Sequence, residues 1–173
     1  GFGRELWIER SDFEAVPPKG YNRLFPGNKV RLKYGYVVEC VGADTDASGQ
    51  LTTVHARVFQ GTKSGTPGSD SVKAKGVITW VGVHDAASAQ VRLYDRLFKV
   101  PHPGTGEQDF LTEINLDSLK VVTAWVEPSL AACPADTRLQ FERHGYFVAD
   151  RLDHAPGRLV FNRTTGLKDT WAK

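Results

Sequence analysis

The chain has 173 residues, of which 40% are hydrophobic and 24% charged, with a formal net charge of +2. That length can bury a core as one large domain or two small ones, and the near-neutral balance says little about partners. No uncharged run approaches a membrane span, and residues 1–15 mix acids and bases without the apolar stretch of a signal peptide.

In chain order the sequence reads as strands. RELWIE (4–9) is short and alternating. KVRLKYGYVVEC (29–40) places Val30, Leu32, Tyr34, Tyr36 and Val38 on one face, with Arg31, Lys33 and Glu39 on the other. LTTVHARVF (51–59) is rich in β-branched residues. VKAKGVITWVG (72–82), AQVRLYDRLFKV (89–100), SLKVVTAWVE (118–127), RLQFERHGYFVA (138–149) and GRLVFNR (157–163) follow. Turn residues separate them at DASGQ (46–50), GTKSGTPGSDS (61–71), PHPGTGEQD (101–109) and DHAPG (153–157). EPSLAAC (127–133) is long enough for one or two helical turns, and no segment sustains a 3.6-residue stripe. An all-β barrel or sandwich is expected. One strand carries a puzzle. In LQFERHGYF (139–147), Leu139 and Phe141 share a face, and Arg143 arrives in phase with them.

Charge is uneven along the chain. Residues 19–33, KGYNRLFPGNKVRLK, hold Lys19, Arg23, Lys29, Arg31 and Lys33 and no acid, with Tyr21, Phe25 and the adjoining Tyr34 interleaved. Lys73 and Lys75 form a second basic pair. Cations attract a phosphate backbone and aromatic rings stack on unpaired bases, although a solvated strand face has the same composition. The two cysteines, Cys40 and Cys133, form no CxxC and read as free thiols of a reducing cytosol. The five histidines are scattered, and no GxSxG, HExxH or P-loop is present. A binding module fits better than a stand-alone enzyme.

Seven stretches, in this order and spacing, resemble one family: LWIERSDF (6–13), YNRLFPGNKVRLKYGYVV (21–38), KGVITWV (75–81), VRLYDRLFKVPHPG (91–104), EPSLA (127–131), LQFERHGYF (139–147) and FNRTTGLKDTW (161–171). The chain is similar over nearly its whole length to the C-terminal anticodon-binding region of bacterial glutaminyl-tRNA synthetases. The resemblance implies an all-β fold of two β-barrels, a distal barrel (18–98) inserted into a proximal one (1–17 and 99–173). It implies a cytoplasmic, monomeric protein whose partners are the anticodon loop of tRNA for glutamine and an N-terminal Rossmann-type catalytic domain. The full-length enzyme would attach glutamine using ATP. This segment, which begins abruptly at GFGRELW, would bind no cofactor and catalyse nothing alone. The weighed alternatives are the equivalent region of a glutamyl-tRNA synthetase and a structural RNA-binding barrel of ribosomal-protein type.

The resemblance also assigns residues. Arg23, in YNRL, matches the arginine at the third anticodon base, and Asn22 stands where a lysine is common. Arg31, in VRLK, matches an arginine at the first base. Lys33 stands where a second arginine is frequent; lysine keeps the charge without the planar fork. Gln140 and Arg143, in QFER, match the pair that reads the middle base, a uracil. Glutamine supplies a donor and an acceptor and arginine supplies donors, which together satisfy a uracil edge. A bulge or strand end near Gly145 is expected to turn Arg143 out beside Gln140.

Overall fold

The structure is a computed structural model and describes residues 1–106 and 109–167. It is nearly all β, as expected, and separates into two compact units, Gly1–His84 and Asp85–Lys173.

Unit 1 contains β1 (Leu6–Trp7), β2 (Lys29–Leu32), β3 (Val37–Thr45), β4 (Leu51–Phe59), β5 (Gly76–Ile78) and β6 (Val81–Gly82). Its main sheet has the order β4-β3-β2-β5, with β2 and β5 parallel and the other pairs antiparallel, while β1 pairs with β6. The core is Phe13, Leu24, Val30, Leu32, Val38, Cys40 and Ile78, flanked by Leu6, Ile8 and Trp80. The DASGQ turn forms because the Asp46 carboxylate accepts from the Ser48 hydroxyl and from the amides of Ser48 and Gln50. Those bonds favour the ionised carboxyl and lower its pKa, the hydroxyl bond most.

Unit 2 contains β7 (Ala87–Tyr94), β8 (Leu119–Val126), β9 (Arg138–Phe141), β10 (Gly145–Ala149) and β11 (Leu159–Thr165). The sheet order is β8-β7-β11-β10-β9, with only β7 and β11 parallel among the described pairs. Val91, Phe147, Leu159 and Phe161 centre its core, and Leu139 and Phe141 pack against it. Phe141 stacks on Phe147 with centroids 4.5 Å apart, so the apolar pair of LQFERHGYF does hold the wall of this unit. EPSLAAC makes a single 3-10 segment, Pro128–Ala132. The buried His154 is a satisfied core residue: the Val160 amide donates to Nδ1 at 3.1 Å, so Nε2 donates to the Cys133 carbonyl at 2.9 Å.

The two compact units meet at residue 84, and each comes from one continuous stretch. The ladders explain this. Leu6 and Trp7 pair with Gly82 and Val81 inside unit 1, and β7 lies between β8 and β11 in unit 2. Among the described residues the hydrogen-bonded orders run from β4 to β5 and from β8 to β9, without showing closed barrels. Both cysteines are free thiols. The last of the seven family-like stretches is described as far as residue 167.

Asp150, at the end of β10, organises the loop that follows. Its carboxylate accepts from the amides of Asp153 (2.8 Å) and Leu152 (2.9 Å), from the Asn162 side chain (2.6 Å) and from Arg92 (3.1 Å). The Asp153 amide, the Asn162 side chain and the Leu152 amide hold its pKa down to about 2, with Arg92 adding a smaller pull. A carboxyl depressed on folding stabilises the fold above its unfolded pKa, near 4, and that contribution disappears as pH falls to about 2. In urea titrations across that window, Asp150→Asn should flatten the acid loss of stability. An unchanged slope would mean Asp150 is not the group responsible.

Candidate nucleic-acid interface

The two stretches read above as single strands, 29–40 and 138–149, are both hairpins. In each, a tight turn places a non-glycine residue in the left-handed region: Tyr34 at φ 58° and Arg143 at φ 71°. The Leu32 carbonyl accepts from the Gly35 amide at 2.8 Å, and the Phe141 carbonyl accepts from the His144 amide at 3.0 Å. The positive φ at the third turn residue is the sign pattern of a type II turn, where glycine is the usual occupant. Such positions cost free energy and are held only by well-determined surroundings.

Gly145 supplies those surroundings for Arg143. Its φ is +133°, and a Cβ there would lie 2.3 Å from the Thr165 carbonyl oxygen. The β10–β11 ladder also shifts register between Tyr146 and Phe147. The in-phase arginine is thereby explained. Arg143 is not on a strand at all; β9 ends at Phe141, and the turn carries the guanidinium at the hairpin tip. Gln140 lies on the same hairpin, exposed, directly opposite Tyr146, itself 46% exposed. The sequence reading missed Tyr146. Its signal was available, since Gln140 and Tyr146 occupy mirrored positions about the turn.

The other four candidate residues lie in unit 1. Arg23 is anchored from one side: Nη1 donates to the Asp12 carboxylate at 2.8 Å and to Ser11 at 3.3–3.4 Å. Asp12 is fully buried while the Arg23 side chain is 36% exposed. One guanidinium nitrogen therefore balances a buried charge, and the rest of the fork has no partner among the described residues. Asn22 is exposed, with its backbone carbonyl pressed against Gly76. Lys33 sits in the β2–β3 turn with Nζ 5.2 Å from the Tyr34 ring centroid, a cation–π distance.

Arg31 is held by the loop that follows β4. Its Nη1 donates to the Thr62 carbonyl at 2.7 Å and its Nη2 to the Ser69 carbonyl at 2.6 Å, with Asp70 at 3.7 Å. Its side chain is 18% exposed. The 61–71 loop is thus pinned to β2 by one guanidinium, aided by the buried Thr62, whose hydroxyl accepts from the Val37 amide and donates to the Phe59 carbonyl. Between residues 70–75, at the end of this loop, and residues 21–31 lies an open groove of about 780 Å³, lined by Asn22 and Arg31 together with Tyr21, Phe25, Lys29, Lys73 and Lys75.

The structure therefore brings Asn22 and Arg31 to one groove of unit 1, with Arg23 and Lys33 elsewhere on that unit, and Gln140 and Arg143 to one hairpin of unit 2. Turn-borne cations, a donor–acceptor amide and flanking aromatics are the groups that single-stranded RNA readers use. Comparison with known proteins agrees. Residues 1–59 and 77–150 match two models, both described as the anticodon-binding domain of class I tRNA synthetases (E and Q). Together they take in most of the chain, and the chain belongs to this family.

Among curated relatives, it is 62% identical to the glutamine–tRNA ligase of Ralstonia pickettii over 98% of its own length. It is 57% identical to that of Bordetella avium over 99%, and 51% identical to that of Polynucleobacter asymbioticus over 98%. The chain spans about 30% of the length of these relatives.

Proposed function

We propose that this chain recognises the anticodon of tRNA for glutamine, as the anticodon-binding part of a bacterial glutamine–tRNA ligase. The whole enzyme would couple glutamine to tRNA with ATP in the cytoplasm, through a separate Rossmann-type catalytic domain. The 138–149 hairpin carries the reading. Gln140 offers an amide donor and acceptor from an exposed strand position, and Arg143 offers a guanidinium from the adjoining turn. Their hydrogen-bonding groups complement the two carbonyls and one N–H of uracil, the middle base. Arg23 and Asn22 would serve the third base and Lys33 the first. Arg31, committed to the carbonyls of Thr62 and Ser69, acts through the loop that it holds.

Family models covering both E and Q leave glutamyl-tRNA synthetases as the neighbouring reading; the named relatives favour glutamine. The test is binding of the chain to anticodon stem-loops. A loop with anticodon CUG or UUG should bind at least ten-fold more tightly than one whose middle uracil is changed to cytosine. Equal binding at fixed salt would leave only a sequence-blind RNA-binding protein.

A further inference from the structure

The groove of unit 1 holds more charge than the anticodon readers account for. Its lining includes Lys29, Arg31, Lys73 and Lys75 against one carboxylate, Asp70, which already lies 3.7 Å from Arg31. Three lysines remain. Lys73 and Lys75 are exposed, and Lys29 rests its ammonium 5.3 Å from the Phe59 ring centroid. Tyr21 and Phe25, both half-buried, give the groove an aromatic part.

Two devices fix the walls. Gly76 starts β5 so close to Asn22 that a Cβ would sit 1.6 Å from the Asn22 carbonyl oxygen, which locks Lys75 beside residues 21–22. Arg31 ties the loop that leads into the other wall, residues 70–75, to β2 through the carbonyls of Thr62 and Ser69 and the Asp70 carboxylate. A rigid, open, cationic groove of about 780 Å³ with aromatic sides falls within the size range of ligand sites and has the chemistry of a nucleic-acid backbone seat.

We propose that Lys29, Lys73 and Lys75 form a sequence-independent grip on the RNA backbone. Their ammonium groups neutralise phosphates of the strand that carries the anticodon, while Tyr21 and Phe25 present a face to an unpaired base. The idea rests on the anticodon reading above, but it assigns these lysines affinity and not base choice. A lysine is a flexible point charge without a bidentate fork, so it suits phosphate better than a base edge.

The experiment measures binding of the chain against salt for the cognate stem-loop and for the loop with the middle base changed. The variants are Lys73→Ala with Lys75→Ala, the same pair changed to Arg, and Lys63→Ala. Lys63 is an exposed cation of the neighbouring loop outside the groove lining. The double alanine variant should bind both loops about 5–30-fold more weakly at 0.1 M salt, with their ratio unchanged and the salt slope lowered by about 2. The arginine pair should keep the slope, and Lys63→Ala should resemble the parent. An unaltered slope in the double alanine variant, or an equal drop with Lys63→Ala, overturns the proposal. If the parent shows no preference for the middle uracil, the anticodon reading fails, and the salt slopes still decide whether the groove binds RNA.

Discussion

Replacing Arg143 by alanine should cost about 1–3 kcal/mol of discrimination at the middle base, roughly 5- to 150-fold in the ratio of cognate to middle-changed binding. The reasoning is local. Arg143 stands at i+2 of the turn between β9 and β10, with its φ at 71°, and Gly145 lets the chain pass within 2.3 Å of the Thr165 carbonyl oxygen where a Cβ would sit. The turn therefore fixes the direction in which the Arg143 side chain leaves the backbone, and a preorganised backbone loses little entropy on meeting a base. Arg143→Lys should recover charge but not discrimination, because the planar pair of donors is gone. Gln140→Ala should act in the same direction, and since both residues would meet one base, the double variant should lose less than the sum. A melting curve beside each binding curve separates lost reading from lost fold. If Arg143→Ala keeps the parent's preference for uracil, the residue is not a reader.

Gly76→Ala should be the most damaging single methyl group. The added Cβ would lie 1.6 Å from the Asn22 carbonyl oxygen and 2.8 Å from its carbon, and both are backbone atoms that no rotamer change can move. Gly76 pairs with Val30 in the parallel β2–β5 ladder, and Val30 and Ile78 are both fully buried. Relief would have to come from displacing β5 or the 21–22 segment, and a loss of roughly 3–5 kcal/mol in urea unfolding is expected. Gly42→Ala is the comparison, since its Cβ would meet nothing within 4 Å and its φ is not in the left-handed region. That variant should stay within about 0.5 kcal/mol of the parent. Equal stability of the two variants would refute the close-approach argument.

Several elements were legible in the sequence for clear reasons. LTTVHARVF is a strand over the whole of 51–59 because its β-branched residues are bounded by a glycine-bearing turn on each side. The alternation of Leu139 and Phe141 correctly located a core face. The two hairpins were hidden because their turn positions hold Tyr34 and Arg143, where turn chemistry would expect glycine or asparagine. Gly35 and Gly145, one and two residues further on, were the available signs of a break. The unit boundary was not legible, because it depends on pairings such as Leu6 with Gly82, far apart in sequence. Of the candidate site, Gln140 and Arg143 came from a short motif and proved to share a hairpin. The commitment of Arg31 could not be read, since its partners Thr62 and Ser69 lie 31 and 38 residues away and contribute only backbone carbonyls.

The two left-handed turn residues also bear on how this protein can be improved and at what loss. Glycine at positions 34 and 143 would relax the backbone of both turns, so selection for heat resistance alone would favour it. A chain optimised in that way would be hardier and would have surrendered an aromatic ring from one hairpin tip and a guanidinium from the other. Tolerance of a strained tip is thus itself a signature: where robustness is the sole demand these side chains should drift away, and where RNA must be gripped they should persist.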